Sequence, residues 1–116
     1  MSPAEEQAVI AELNAARDTE YAEVLERLPG LRQELADEQA RGNATYAEVE
    51  ESEADLQRFR TWLDKIAARD YFDAPTGHTA RDAVEQAATE LAAFEEAALH
   101  AEAPDQAAPR LRAVKQ

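Results

Sequence analysis

The stretch "RGNATYAEVEESEADLQRFRTWLDKI", residues 41–66, decides the fold, because it holds a chain reversal followed directly by a one-faced helix. Gly42 and Asn43 suit a left-handed helix end, where glycine has no Cβ to clash and asparagine is the best tolerated alternative. Thr45 with Glu48 forms the S/T-x-x-E capping box, so a new helix is expected at once. Val49, Ser52, Leu56, Phe59, Leu63 and Ile66 then recur at alternating intervals of three and four, which places them on one helical face.

Upstream, Ile10, Leu13, Val24, Leu25 and Leu28 make a second stripe that continues through Leu31 and Leu35. The "LPG" between them predicts a kink or a split at Pro29–Gly30, since proline disfavours helical geometry at the residue before it. If residues 3–41 fold back on 45–72, equal rise on both arms makes facing residue numbers sum to roughly 87. Leu31 then meets Leu56, Leu28 meets Phe59, Leu25 meets Trp62 and Tyr21 meets Ile66. Apolar groups fall opposite apolar groups over several turns, which predicts an antiparallel hairpin.

Downstream, "DAPTGHT" at 73–79 reads as another turn, with Thr79 and Asp82 as a weaker cap before a last helix. Val84, Ala87, Leu91, Phe94 and Ala98 form its stripe, and the same arithmetic sets Leu91 beside Phe59 and Val84 beside Ile66. The prediction is an all-α fold: an antiparallel three-helix bundle, the first helix kinked or split, in one domain over residues 1–103. Residues 104–116 have two prolines, no sustained stripe and a basic end, and are expected to be an extended or disordered, flexible tail.

Composition narrows the function. The chain has 116 residues, 25 acidic and 12 basic, for a net charge of −13, so direct nucleic-acid binding is not expected over most of its surface. It has no cysteine, which removes disulfides and thiolate chemistry. The start "MSPAEEQAVI" does not read as a signal peptide, and no run approaches the roughly 20 apolar residues of a membrane span. A cytoplasmic protein without a membrane segment is expected.

The predicted register gathers charge at one end. Asn14, Arg17, Asp18 and Tyr21 from the first arm meet Arg69, Asp70 and Tyr71 from the second and His78 and Arg81 from the third. Three arginines beside a helix N-terminus suit an oxyanion such as sulfate, phosphate or chromate. In that reading Arg17, Arg69 and Arg81 neutralise the ligand, and Tyr21 or His78 donates a hydrogen bond. In the other reading Asp18, Asp70 and Asp73 neutralise the arginines in ordinary end-of-bundle pairs.

Other chemistry has less support. A ferritin-like metal centre wants Glu-x-x-His, and neither His78 nor His100 has glutamate three residues before it. Glu96 and His100, four apart, would offer one divalent ion an exposed bridge, and a solvated acidic face explains such runs as well. No metal, no cofactor and no catalytic residue is expected, since neither a nucleophilic relay nor a phosphate-binding glycine loop is visible. Trp62, Tyr71 and Phe72 read as core and end packing in preference to a ligand cage. Arg110, Arg112 and Lys115 would be solvated or would touch an acidic partner.

With these residues in view, the chain resembles the helical portion of the N-terminal region of ChrB-type chromate-resistance proteins. The matching text is "ELNAARDTEYAEVLERL" at 12–28, "ELADEQARGNATYAEVEESEADLQRFRTWLDKIAARDYFDAP" at 34–75 and, more loosely, "AVEQAATELAAFEEAALHAE" at 83–102. The resemblance implies a chromate-responsive regulator or an accessory protein of a chromate efflux transporter. It further implies a winged-helix-like part before the helical segment and another domain after it, neither of which is expected here, so direct operator binding is not expected. Arg17, Tyr21, Arg41, Asn43, Glu48, Arg58, Trp62, Arg69 and Asp70 match the family and would serve either ligand sensing or the bundle. The alternative function is a helical protein-interaction or homodimerisation module with no small-molecule ligand.

Overall fold

Between residues 41 and 45 the chain reverses through a glycine that the reversal requires. Gly42 has φ +74, its N–H donates to the Gln39 carbonyl at 3.1 Å, and the Asn43 N–H donates to the Glu38 carbonyl at 2.8 Å. That pair of bonds is a Schellman end, which satisfies carbonyls the last helical turn leaves free. Thr45 then caps the next helix, its hydroxyl accepting the Glu48 N–H at 3.3 Å.

The computed structural model describes the backbone of residues 1–115 and the side chains of residues 1–101. It contains α1 (Pro3–Ala40), α2 (Tyr46–Ala67) and α3 (Thr76–Lys115), each packed on the other two, with no strand among the described residues. The tail expected over 104–116 lies outside the residues described with side chains; helical backbone runs to Lys115.

The apolar stripes become the core. Tyr21, Val24, Leu28, Leu31 and Leu35 of α1 are buried with Val49, Leu56, Leu63 and Ile66 of α2 and Val84, Ala87, Leu91, Phe94 and Ala98 of α3. Each large side chain so buried contributes roughly 1.5–3 kcal/mol, which is why the stripes and not local propensity set the register. Ser52 sits on the α2 stripe and is also buried.

The chain does not split at Pro29. α1 is one helix from Pro3 to Ala40 with Pro29 inside it. An internal proline removes one N–H bond and costs about 3 kcal/mol. Here Pro29 lies on the exposed side, where water can replace the missing donor, and Val24, Leu28, Leu31 and Leu35 anchor both flanks in the core. α3 also begins earlier than its local cap predicts, at Thr76 and not after Thr79.

Two cross-links show that α1 and α3 run parallel with a constant offset. Asp18 reaches Thr76 and Arg32 reaches Glu90, both 58 residues on. The Arg32–Glu90 pair is bidentate, with both bonds 2.7 Å long.

Candidate functional site

The end of the bundle where α2 stops and α3 starts is organised around Tyr21. This ring is fully buried, and its hydroxyl donates to Asp70 Oδ2 at 2.9 Å. The other Asp70 oxygen accepts the Ala74 N–H, also at 2.9 Å, so one carboxylate ties α1 to the α2–α3 turn. Asp73 takes φ 56 in that turn, a left-handed conformation that aspartate tolerates better than most residues. Gly77 lets the first turn of α3 lie flat on the ring, since a Cβ there would stand 3.0 Å from Tyr21 Cε2 and Cζ. Burial raises the Tyr21 pKa above its ordinary value, the Asp70 carboxylate raises it further, and Arg81 partly opposes them.

Beside this lies a clamp of two arginines. Arg17 Nη1 donates to the Arg69 carbonyl at 3.5 Å, and Arg17 Nε stands 2.5 Å from Glu20 Oε1. Arg69 pairs with the other oxygen of the same carboxylate. Glu20 is thus held between guanidinium groups that belong to α1 and to the turn after α2. Its side chain and that of Arg17 are mostly covered, at 28% and 23% exposure, where a charge-assisted contact is less screened than on the open surface.

The remaining charges form a third, more open group. His78 Nε2 lies 3.2 Å from Asp73 Oδ2, Arg81 Nη2 lies 3.4 Å from His78 Nδ1 and 3.8 Å from Asp73 Oδ1. Asp18 Oδ1 accepts the Thr76 N–H at 2.9 Å and so occupies the electropositive start of α3.

Of the residues expected to converge, the structure brings Arg17 and Arg69 together, puts Arg81 and His78 in a separate group around Asp73, and sets Tyr21 between the two. Tyr71 points away and is 81% exposed. The three aspartates each hold a donor: Asp18 a backbone N–H, Asp70 the Tyr21 hydroxyl and the Ala74 N–H, and Asp73 the Arg81–His78 pair. Glu20 is not among the residues expected here, although the Arg17–Glu20 spacing of three residues is a legible helical pair. Gly77 is not among them either, because its role depends on a ring 56 positions away.

The other positions singled out by the resemblance lie elsewhere along the bundle. Arg41 pairs with Glu38 and Arg58 with Asp55, while Trp62 stacks on Phe59 with ring centroids 6.2 Å apart. Glu96 and His100 stand 4.0 Å apart on the exposed surface of α3. No group of three or more potential metal ligands occurs among the described residues, and none of the helices searched is long and apolar enough to cross a membrane.

No curated protein and no solved structure matches the chain. The family model described as "Protein ChrB, N-terminal" matches residues 1–105, which takes in α1, α2, the turn that carries Asp70 and Asp73, and most of α3. The chain therefore belongs to the family of ChrB N-terminal domains, and its context is chromate resistance.

Proposed function

We propose that the chain is a non-catalytic regulatory or accessory module of chromate resistance, acting in the cytoplasm, and that it senses a tetrahedral oxyanion at the Arg17–Arg69 clamp. The observation that carries this reading is Glu20, a single carboxylate held by both guanidinium groups. Arg17 Nε and Glu20 Oε1 are in ion-pair contact with no hydrogen bond between them, so the clamp holds Glu20 by charge, and a sulfate-like dianion suits the same two guanidinium groups. A chromate or sulfate dianion entering the clamp replaces a singly charged internal anion by a doubly charged one and releases Glu20 to water. Over most of a surface with net charge −13 such an anion is repelled, so a local guanidinium pair is what makes binding feasible.

Exchange at this place has a mechanical consequence. Arg17 lies on α1 and Arg69 follows the end of α2, so the occupant of the clamp sets how the two elements meet. Arg81 and His78 join the ligand only if Asp73 lets them go, and Tyr21 is committed to Asp70.

The test is titration with sodium chromate and sodium sulfate at constant ionic strength, following Trp62 fluorescence and the melting temperature. An anion that prefers the folded state raises Tm with saturation. Glu20→Gln should tighten binding by removing the competitor, and the double variant Arg17→Ala with Arg69→Ala should abolish it. No saturable shift with either anion, in the wild type and in Glu20→Gln alike, rejects the site.

A further inference from the structure

Between α1 and α2 runs a groove of about 330 Å³ that no residue of α3 lines, with Leu31, Phe59 and Trp62 as its apolar lining. A second groove of about 380 Å³, which Trp62 also lines, carries the strip on to Lys65. Leu31 is buried, but Phe59 and Trp62 are only partly covered, and the Trp62 indole N–H has no hydrogen-bond partner among the described residues.

The charges along this strip are sorted by sign. At alternating steps of three and four, α2 presents Glu48, Glu51, Asp55, Arg58, Trp62 and Lys65, acidic towards the hairpin turn and basic away from it. On the α1 rim Glu34 and Arg27 follow the same order, Glu34 lying nearer the turn. Asp55 already pairs with Arg58, and Glu38 with Arg41. Arg27, Lys65, Glu34, Glu48 and Glu51 make no ion pair among the described residues. Burial and the carboxylates of Glu51, Glu38 and Glu34 raise the Glu48 pKa above its ordinary value, and Arg41 only partly opposes them, so the acidic half lacks a cation.

This pattern is complementary to itself when a second copy is turned end over end. Lys65 then stands opposite Glu48, Trp62 opposite Glu51 and Arg58 opposite Asp55, all about one midpoint between Leu56 and Gln57. Arg27 and Glu34 share a midpoint between Gly30 and Leu31. The hairpin sets Leu31 level with Leu56, so a single two-fold axis across the groove serves both helices. Glu23, one turn from Arg27, meets the Glu38–Arg41 couple, which is neutral. The strip from Glu48 to Lys65 is about 26 Å long and two helices, about 20 Å, wide, so the joint would bury about 1,000 Å² in total, which fits a weak and reversible dimer.

We propose that two copies of the chain associate antiparallel through this α1–α2 flank, Arg27 of each pairing with Glu34 of the other and Lys65 with Glu48. Trp62 is covered at the joint, with its indole N–H donating to Glu51 of the other copy. A part-buried tryptophan ringed by charges is the composition such a joint wants.

The experiment is sedimentation equilibrium of the full chain across a micromolar to millimolar range at about 0.15 M salt, where repulsion between like-charged surfaces is screened beyond about 8 Å. A reversible monomer–dimer equilibrium is expected. Arg27→Glu and Glu34→Arg should each raise its dissociation constant by about tenfold, since symmetry puts two contacts at stake. Both side chains are exposed and outside the core, so helical circular dichroism should not change. Glu34→Arg lowers the net negative charge, so a general easing of repulsion would have the opposite effect. The double variant should restore the wild-type constant, and within one copy the two positions are about 10 Å apart along the helix, so the rescue can arise only between copies. Leu99→Glu, exposed on α3, should leave the constant unchanged. A monomer throughout the range overturns the proposal, as does a dimer indifferent to both single variants or a double variant as weak as either. The oxyanion reading is independent of these results, because neither Arg17 nor Arg69 takes part.

Discussion

Asp18 Oδ1 accepts the Thr76 N–H at 2.9 Å, so a residue of α1 caps the first turn of a helix that begins 58 positions later. The first backbone N–H groups of any helix lack internal partners. When the partner comes from a neighbouring helix, it fixes where the new helix begins and how it lies on that neighbour. Asp18 thereby sets the offset that also brings Arg32 to Glu90 further along. The predicted local cap at Thr79 is bypassed because this acceptor waits three residues upstream, just after Pro75.

Removing this cap should be felt at both ends of the offset. Asp18→Ala should lower stability by about 1 kcal/mol, the usual loss for an N-cap side chain. Asp18→Asn keeps an acceptor oxygen and should lose less. Urea unfolding measures the difference, and amide exchange should accelerate first over the opening turn of α3. A uniform acceleration along the chain would contradict the local role.

The two glycines inside helices should respond oppositely to the same substitution. At Gly30 a Cβ meets nothing within 4 Å, so Gly30→Ala should stabilise α1 by about 0.5–1 kcal/mol through the lower entropy of the unfolded chain. At Gly77 a Cβ stands 3.0 Å from the buried Tyr21 ring and 3.2 Å from Arg81 Nη1, so Gly77→Ala should destabilise by about 1–3 kcal/mol. Thermal melts of both variants decide the matter, and matching signs would refute the packing argument.

What the sequence made legible divides along a physical line. Stripes at helical spacing and a glycine that needs positive φ are local facts, and the hairpin followed from them by arithmetic: Arg17 does reach the carbonyl of Arg69. The unbroken course of α1 was not legible, because the penalty of Pro29 is local while the burial that outweighs it, at Leu28, Leu31 and Leu35, comes from the other helices. The partition of the charges was hidden for a similar reason. Register tells which side chains share an end of a rod, but whether Arg69 turns to Glu20 or to Arg81 depends on rotations about the rod that a count of residues leaves open.

Stability should fall at both extremes of pH, through different groups. Arg32 hydrogen-bonds Glu90 and holds its carboxyl below the ordinary value. A depressed folded-state pKa means stability that is present above the unfolded value of about 4.3 and lost as pH falls through the folded one. Both side chains are about a third or more exposed, so the loss is modest, and Glu90→Gln should lower Tm slightly at neutral pH and flatten the acid limb of the profile accordingly. Tyr21 behaves in the opposite sense. Burial and Asp70 raise its pKa, so its contribution is complete below about 10 and is lost as pH rises from there through the folded value. Tyr21→Phe should remove that alkaline loss, and at neutral pH it should cost about 1–3 kcal/mol, because Asp70 Oδ2 then has no hydroxyl to accept from. Melting curves from pH 3 to 11 on the wild type and the two variants check both limbs. An alkaline limb that persists unchanged in Tyr21→Phe would show that the buried phenol is not its source.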